Sequence, residues 1–371
     1  MFEKNLVCVC CGKEYPSEKV IFECSHCRGP LDVVYDYNKI KRLLSKNVDG
    51  FKLAQPSHWK YWPFYPVKDA TKVVTFDEGG TPLLESKKHK GLMFKYEATN
   101  PTGSFKDRGS TLEITKAVEH RVKEVVCAST GNMGASVAAY SSRAGLKCTI
   151  YLPTFAPKQK ANQIRSYGSR IVDVRGTYED AVAKTVHLRQ VKHTYLTGDY
   201  VFRGEGEKSV GFEILDQLQF VSPKYIVLPI GNATLMAGVY KSLVEMKETG
   251  LIERLPKLVG VQAKGCNPVV DAFNRKQGLP FIKNPKTIAT AIACGRPVDA
   301  VKALRGLKDT RGLAIDVTEN EIIRARKELG KEGLFVEPSG AVSYAGWKKL
   351  GLKGESVCVL TGHGLKDTKT Y

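Results

Sequence analysis

Apolar runs of five or six residues alternate with longer amphipathic segments over most of the chain. The runs are rich in valine, isoleucine and leucine and end at turn residues, so they predict buried strands. These strands are predicted over residues 92–96, 124–128, 147–152, 170–174, 225–229, 258–262 and 356–360. Helices are predicted over residues 110–122, 132–144, 178–190, 206–217 and 236–249. Strands that alternate with helices predict an α/β fold with mainly parallel sheets and helices on both faces.

The N-terminal segment has a different pattern, in which five cysteines fall within the first 27 residues. Cys8 and Cys11 form one CxxC pair, and Cys24 and Cys27 form a second pair after a spacer of twelve residues. Two such pairs on facing turns suit a tetrahedral zinc ion with four sulfur ligands. Cys10 makes the register ambiguous, and His26, which lies inside the second pair, is a competing ligand. A ribbon of reduced cysteines without metal is the alternative. The spacing favours a structural zinc ribbon over residues 1–36.

Residues 36–66 follow this segment and lead towards the main body. Their pattern predicts a helical connector followed by a loop rich in aromatic residues. The aromatic residues of this loop are Trp59, Tyr61, Trp62, Phe64 and Tyr65. We expect their rings to pack the connector against the main body.

The composition is that of a globular protein, with 42% hydrophobic and 26% charged residues among 371. No apolar run is long enough to span a bilayer, and the first residues lack a signal-peptide core, so we expect a cytoplasmic protein without membrane attachment. The formal charge of +19 raises the alternative of a nucleic-acid partner. The lysines are scattered and do not alternate with aromatic residues, which favours a diffuse basic surface that attracts small anionic ligands.

One lysine lies where a predicted strand meets a predicted helix, within the sequence Asn-Pro-Thr-Gly-Ser-Phe-Lys-Asp-Arg-Gly-Ser at positions 100–110. Desolvation and the N-terminus of a helix both disfavour the cation of a lysine held there. A neutral amine can form a Schiff base with an aldehyde. A surface lysine beside a helix cap is the alternative. The small and turn-forming residues around Lys106 favour the Schiff base.

A second motif, at residues 129–134, also follows directly on a predicted strand. Ser129, Thr130 and Asn132 offer hydroxyl, amide and backbone N–H groups where a helix begins. Such groups suit a ligand carboxylate, although serine and threonine also serve as plain helix caps. Ligands of parallel sheets gather at the carboxyl ends of the strands, so this motif and Lys106 are expected to lie close together.

Two further strand ends carry candidate binding groups. The first consists of Gly231, Asn232, Ala233, Thr234 and Leu235. Small residues before a helix let backbone N–H groups converge on a phosphate, although the run could also be only a tight turn. In the second, the Thr361 hydroxyl can bond a ring nitrogen without protonating it. His363 lies between two glycines, and we expect a turn histidine bonded to the backbone.

These motifs together offer an amine, a carboxylate pocket, a phosphate site and a neutral partner for a ring nitrogen. Pyridoxal phosphate has an aldehyde, a phosphate and a pyridine nitrogen, and an amino-acid substrate brings the carboxylate. The sequence also resembles the threonine synthases, a family of fold-type II pyridoxal-phosphate enzymes, over nearly its whole length. The lysine motif, residues 129–132, the loop from Gly231, the run 337–340 and residues 361–367 occur in family order.

The resemblance implies a role for each candidate residue. Lys106 holds the cofactor aldehyde, Asn132 bonds the cofactor's ring hydroxyl, and Thr361 meets the pyridine nitrogen. The loop of residues 231–235 binds the cofactor phosphate. Ser129 and Thr130 face the substrate carboxylate, and Arg203 contacts the substrate phosphate.

The resemblance also implies the fold and the reaction. It implies two doubly wound, mainly parallel α/β domains plus the small ribbon. The expected boundaries are 1–36 for the ribbon, 37–110 with 205–371 for the large cofactor-binding domain, and 111–204 for the smaller domain. The implied reaction converts O-phospho-L-homoserine and water to L-threonine and phosphate, with pyridoxal phosphate as cofactor. We expect a homodimer.

Three positions differ from the family pattern. Met133 replaces a threonine, Leu235 replaces a second asparagine, and Thr197 with Gly198 replaces an Asn-Ser pair. All lie near the substrate phosphate in the family, so they bear on the substrate more than on the cofactor. The alternatives are a serine/threonine dehydratase and a β-replacement enzyme acting on phosphoserine. A zinc-ribbon nucleic-acid-binding protein on a degenerate enzyme body is the remote alternative.

Overall fold

The computed structural model describes residues 2–46, 57–129, 131–192, 194–198 and 200–369. Thirteen strands in these residues form three sheets. The strands are β1 Glu3–Cys8, β2 Glu14–Pro16, β3 Leu31–Tyr35, β4 Leu83–Glu85, β5 Leu92–Tyr96, β6 Glu124–Ala128, β7 Lys147–Pro153, β8 Arg170–Val174, β9 Tyr195–Thr197, β10 Tyr225–Pro229, β11 Lys257–Ala263, β12 Leu313–Val317 and β13 Ser356–Leu360.

Twelve α-helices are found in the same residues. They are α1 Tyr37–Lys46, α2 Lys106–Glu119, α3 Asn132–Arg143, α4 Lys158–Ser166, α5 Tyr178–Lys192, α6 Val201–Glu207, α7 Ser209–Gln217, α8 Thr234–Glu248, α9 Pro268–Arg275, α10 Ala300–Asp309, α11 Glu319–Lys331 and α12 Pro338–Leu350. Short 3₁₀ helices cover His58–Phe64, Ala70–Lys72, Glu97–Thr99, Thr290–Ile292 and Gly364–Lys366.

Two parallel sheets build the main body. The larger has the strand order β12-β11-β10-β13-β5-β4, and β4 is its antiparallel edge strand. The smaller has the order β8-β7-β6-β9, and all of its neighbours are parallel. The predicted α/β class with mainly parallel sheets is confirmed. The strands of the smaller sheet lie within residues 124–197, and the exact domain boundaries stay a prediction.

The N-terminal segment forms an antiparallel sheet of three strands in the order β2-β1-β3. Its apolar face packs into the main core, because Leu6, Val33 and Tyr35 belong to the same buried cluster as Phe212 of the main body. The aromatic loop extends this contact as predicted: the Tyr61 ring stacks on Phe212 with centroids 5.3 Å apart. Trp62 is the exception, since its side chain is 49% exposed.

Helix α2 begins four residues earlier than the apolar pattern predicts, at Lys106 itself. A turn with Gly103 at φ 85° precedes it, and the backbone N–H of Asp107 then bonds the carbonyl of Ser104. The pattern missed this start because the first turn is charged although it is buried. Asp107 and Arg108 have no exposed surface, and their charges are satisfied by buried partners.

The helix predicted over residues 206–217 is two helices, α6 and α7, that meet at Lys208. Helix α6 packs closely on α2. A Cβ atom on Gly206 would overlap the carbonyl oxygen of Arg108, so only glycine permits this approach. The contact places the end of α6 against the beginning of α2, where Lys106 lies.

Candidate active site

A cavity opens at the carboxyl ends of β5, β6, β10 and β13. Parallel strands point their C-terminal ends to one edge, so loops that are distant in the sequence meet there. The predicted site residues that line it are Lys106, Ser129, Asn132, Gly231, Asn232, Ala233, Thr234, Leu235 and Thr361. Thr130 lies outside the described residues. The structure therefore brings together the amine, the predicted phosphate loop and the predicted ring partners.

Lys106 is the first residue of α2, and 17% of its side chain is exposed. Its Nζ lies 4.4 Å from the centre of the Phe105 ring and 3.1 Å from Oε1 of Glu207. The preceding turn is fixed by Asp107, whose carboxylate accepts from the backbone N–H and the hydroxyl of Thr102 at 2.6 and 2.5 Å. The amine thus reaches the cavity from a rigid turn, and a carboxylate stands beside it.

Asn132 opens helix α3 and bonds one member of a buried ion pair. Its Nδ2 donates to Oε1 of Glu337 at 2.5 Å, and Oε2 of Glu337 lies 3.0 Å from Nζ of Lys160. The side chains of Glu337 and Lys160 are almost completely buried, so this ion pair is held at fixed positions. Oδ1 of Asn132 is buried and has no hydrogen-bond partner among the described residues.

The predicted phosphate loop has the backbone of an anion site. Ala233 adopts the left-handed conformation at φ 70°, and helix α8 begins at Thr234. The N-terminus of α8 adds the positive end of its dipole to the backbone N–H groups of the loop. Asn232 is anchored through Oδ1, which accepts from the backbone N–H of Val298 at 2.7 Å. Its Nδ2 is buried without a hydrogen-bond partner in the part of the chain that the structure describes.

Ser129 organises the loop that the sequence assigns to a carboxylate. Its Oγ accepts from the backbone N–H groups of Gly131 and Gly134 at 2.9 and 2.8 Å. Gly131 has φ 144°, and a Cβ atom there would overlap the side chain of Lys160. The serine hydroxyl therefore shapes the loop, while the glycine permits Lys160 to pass beneath it.

Thr361 follows β13, and its carbonyl accepts from the backbone N–H of Phe105 at 3.1 Å. This bond ties the strand end to the lysine turn, and the threonine lines the same cavity. The backbone N–H of Leu365 donates to Nδ1 of His363 at 3.2 Å, which confirms the predicted turn histidine.

Arg203 is completely buried on α6 and does not line the cavity. Its Nη2 donates to Glu113 at 2.6 Å and to Ser110 at 2.9 Å, and its Nη1 lies 3.5 Å from Glu207. An arginine that binds a substrate phosphate is expected to point its guanidinium into the cavity. To do so, Arg203 would have to exchange one of its carboxylate partners for the substrate phosphate. Its substrate role stays a prediction.

The residues of the cavity fit pyridoxal phosphate. The unsatisfied Oδ1 of Asn132 is an acceptor for a ring hydroxyl, and the unsatisfied Nδ2 of Asn232 is a donor for a phosphate beside the N-terminus of α8. Buried polar atoms without partners are costly in a folded protein unless a ligand satisfies them. The amine of Lys106 lines the same cavity and suits the aldehyde of this cofactor.

The family model described as "Pyridoxal-phosphate dependent enzyme" matches residues 74–362, which include every cavity residue named above. The chain belongs to this family. Among its relatives in the family, the threonine synthase of Methanocaldococcus jannaschii is 44% identical over 97% of this chain and 92% of its own length. The threonine synthase of Methanosarcina acetivorans is 43% identical over 99% of this chain and 93% of its own length. The predicted resemblance is confirmed.

Solved structures of other enzymes share the fold. The processed form of threonine deaminase isoform 2 from Solanum lycopersicum superposes with a TM-score of 0.66 at 21% identity, covering 93% of this chain and 93% of that chain. The L-serine ammonia-lyase of Rhizomucor miehei gives a TM-score of 0.67 at 21% identity, covering 76% and 93%. The predicted fold class, a fold-type II α/β enzyme, is confirmed.

Three site residues were not singled out by sequence reasoning. Glu337 and Lys160 form the ion pair behind Asn132, and Glu207 contacts Lys106. Glu337 and Glu207 lie in runs that resemble the family, which could have drawn attention to them. Lys160 carried no signal, because a lysine on a polar helix ordinarily faces solvent.

The four predicted zinc ligands also come together, at the tips of the N-terminal sheet. The Sγ atoms of Cys8, Cys11, Cys24 and Cys27 all lie within 4.8 Å of one another. Cys8 and Cys27 are 3.4 Å apart, and Cys11 and Cys24 are 3.6 Å apart. A tetrahedral zinc ion with bonds of about 2.3 Å separates its sulfur ligands by about 3.8 Å, so the spacing suits this metal.

Lys366 makes the stability of the folded chain depend on pH. Its Nζ donates to the Thr102 carbonyl at 2.7 Å and to Gln163 at 2.8 Å, and burial together with the charge of Lys160 lowers the pKa of Lys366 from 10.5 to about 8. Between these values the unfolded chain binds more protons than the folded chain, so stability rises as the pH rises through this window.

We predict that Lys366→Met removes part of this rise. The free energy of unfolding of the native chain should increase by about 2 kcal/mol more than that of the variant between pH 8 and pH 10. Urea unfolding at several pH values measures this difference. Lys308→Met, at an exposed position on α10, is the control and should keep the native slope. Parallel curves for the native chain and Lys366→Met would contradict the assignment.

Proposed function

We propose that the chain is a threonine synthase that converts O-phospho-L-homoserine and water to L-threonine and phosphate. The observation that carries this proposal is a cavity with the Lys106 amine, the loop of residues 231–235 and the unsatisfied amides of Asn132 and Asn232. The relatives at 43–44% identity over nearly the whole chain bear the name threonine synthase, which selects this reaction among those of the family.

When bound, pyridoxal phosphate withdraws electrons from the amino-acid substrate and so weakens its Cα–H bond. In the proposed reaction, Nζ of Lys106 would hold the aldehyde of the cofactor, and the Lys106 amine would move the proton at Cα of the substrate. The amide of Asn132, kept in place by Glu337, orients the ring through its hydroxyl. The backbone of residues 231–235 and Nδ2 of Asn232 hold the cofactor phosphate, and Thr361 bonds the ring nitrogen.

Substrate binding is proposed for the loop that Ser129 organises, with Thr130 as its partner. Backbone N–H groups at the start of α3 complement a carboxylate there. Arg203 is proposed for the leaving phosphate through exchange of its partner Glu113, while its contact with Glu207 is kept.

The experiment that tests the function measures two products separately. Purified chain loaded with pyridoxal phosphate is incubated with O-phospho-L-homoserine, and phosphate and threonine are quantified over time. Equal amounts of both support threonine synthase. Phosphate without threonine contradicts the proposal.

A dehydratase that acts on serine or threonine is the second candidate. It is favoured by the apolar Met133 and Leu235 in the cavity lining and by the absence of Arg203 from that lining among the described residues. Both make the cavity less suited to a second phosphate. Formation of a 2-oxo acid and ammonia from L-serine or L-threonine, faster than threonine synthesis, would favour this candidate.

We infer that the four clustered cysteines bind a structural zinc ion. The Tyr15 hydroxyl donates to Sγ of Cys24 at 3.0 Å. Burial opposes ionisation of this thiol, but bonds from Tyr15 and from the backbone N–H groups of Cys27 and His26 lower its pKa to about 5. His26 is exposed, and the cluster consists of the four cysteines alone. Four ligands leave no open position for water, so the site is assigned to structure.

We predict that Cys24→Ser removes about one zinc ion per chain and lowers the melting temperature, because structural zinc contributes on the order of 10 kcal/mol to small ribbons. Metal analysis by mass spectrometry and thermal unfolding measure the two effects. Cys10→Ser is the control, since Cys10 lies between the ligands Cys8 and Cys11 but outside the cluster. Equal zinc content in both variants would contradict the ligand assignment.

The remaining proposals concern partners. No helix among the described residues is long and apolar enough to cross a membrane. We propose a small anionic amino acid as the ligand, a homodimer as the assembly and the cytoplasm as the location. Light scattering tests the homodimer. A measured mass of 41.0 kDa, which is that of one chain, would contradict it. A nucleic-acid partner is disfavoured by the enzyme site.

A further inference from the structure

The amine of Lys106 has a buried carboxylate as its neighbour. Glu207 is the last residue of α6, its side chain is completely buried, and its Oε1 lies 3.1 Å from Nζ of Lys106. An amine and a carboxylate at this distance share a proton through a hydrogen bond. The cofactor roles proposed for the site leave Glu207 without a function.

The packing of α6 on α2 is built around this contact. A Cβ atom on Gly109 would lie 2.9 Å from Cγ of Arg203 and 3.1 Å from Cγ of Glu207. Gly109 therefore leaves the space in which both side chains lie against α2. Gly206 permits the backbones to approach, as described above. Two glycines at one helix contact bring a carboxylate to the reactive amine.

The charge of Glu207 is balanced from two sides. Lys106 approaches from α2, and Arg203, one turn earlier on α6, lies 3.5 Å from the same Oε1. Arg203 in turn pairs with Glu113 at 2.6 Å. Two cations and two carboxylates thus alternate in a buried row, so removal of a proton from Lys106 leaves Arg203 beside Glu207 to hold its negative charge.

A second proton acceptor beside the amine would let the proposed reaction remove two protons in turn. The substrate loses one proton from Cα and one from Cβ before phosphate leaves Cγ, and Cγ then receives a proton. A neutral lysine amine accepts one proton, and it must pass that proton on before it accepts another. Oε1 of Glu207 is within reach of Nζ, so a proton transferred from the ammonium forms a carboxylic acid and restores the neutral amine.

We propose that Glu207 accepts a proton from the Lys106 ammonium and later returns it to the Lys106 amine. Each transfer breaks an N–H bond at Nζ and forms an O–H bond at Oε1, or the reverse, and no electron leaves the site. This inference rests on the proposed function for the sequence of proton transfers. The contact between Glu207 and Nζ of Lys106 does not depend on the substrate.

The test compares Glu207→Gln with Glu113→Gln in full-length chain loaded with pyridoxal phosphate. Glutamine keeps the shape of the side chain but holds no transferable proton. Glu113→Gln is the matched control, because Glu113 pairs with the same arginine from the opposite side. Circular dichroism and cofactor content establish that each variant is folded, and Glu207→Asp provides a second variant that keeps the carboxylate.

The first measurement is the pH titration of the Schiff-base absorbance without substrate. A carboxylate beside the nitrogen stabilises its protonated form, so Glu207→Gln should lower the midpoint by about one pH unit or more. Glu113→Gln and Glu207→Asp should shift it by clearly less. A midpoint for Glu207→Gln equal to that of the native chain would overturn the inference.

The second measurement is turnover of O-phospho-L-homoserine. Glu207→Gln should lower kcat about 100-fold and leave KM within about threefold, as expected for loss of a proton-transfer group. Native kcat in this variant would overturn the inference. If the native chain shows the Schiff-base band but releases no phosphate, the proposed function is wrong. The pH titration of that band would still test the contact between Glu207 and Lys106.

Discussion

Lys106→Ala is expected to abolish the Schiff-base absorbance and to lower turnover by about 10³-fold or more. The variant has no amine to bind the aldehyde covalently and none to move protons at the substrate. The cavity itself should persist, because the lysine turn is held by Asp107, Thr102 and the bond between Phe105 and Thr361. Absorbance spectra and the rate of phosphate release measure the two losses.

The control for this variant is Lys308→Ala, at an exposed lysine on α10. It should retain the native spectrum and the native rate. Borohydride reduction of the native chain followed by peptide mapping should place the cofactor label at position 106. A label at any other lysine, or full turnover in Lys106→Ala, would show that the nucleophile is misassigned.

Gly206→Ala is expected to destabilise the chain by about 3 kcal/mol and to impair the site. Its Cβ atom would overlap the Arg108 carbonyl oxygen and lie 2.8 Å from Cα of Gly109, so α6 would have to move away from α2. That movement carries Glu207 away from Lys106. Urea unfolding measures the first effect, and the pH midpoint of the Schiff-base absorbance measures the second.

Gly204→Ala, on the same helix, is the matched control. Its Cβ atom would meet only Cγ2 of Thr234, at an ordinary distance of 3.7 Å. Because alanine favours helix over glycine, this variant should be about 0.5 kcal/mol more stable than the native chain. Equal destabilisation by both substitutions would mean that the contact between the two helices is not the cause.

The sequence predicted the strands better than the helices. All seven predicted strands are present, because buried parallel strands are continuous apolar runs with clear ends. The predicted start of helix α2 lies four residues after the observed one, because the buried face of its first turn carries charged residues. Arg108 donates to Glu97 at 2.7 Å and to Glu213 at 2.9 Å, and such pairs are invisible to a pattern of apolar positions.

Short strands, and contacts between residues that are distant in the sequence, are a second limit on what the sequence can predict. Strand β9 has three residues, too few to stand out from a loop. Local motifs located Lys106, Asn132 and the loop at Gly231, since each follows its own strand. The partners Glu207 and Glu337 approach from elements far away in the sequence. Only the packing of the helices decides which carboxylate meets which base.

The ribbon is joined to the body through the last strand of its sheet. Lys241 donates to the carbonyl of Val33, and Lys302 donates to that of Leu31, each at 2.7 Å. The Tyr35 hydroxyl donates to Glu205 at 2.6 Å, on the helix that also carries Glu207. Removal of residues 1–36 would delete this contact with α6, so a chain shortened in this way is expected to hold Glu207 less firmly beside Lys106.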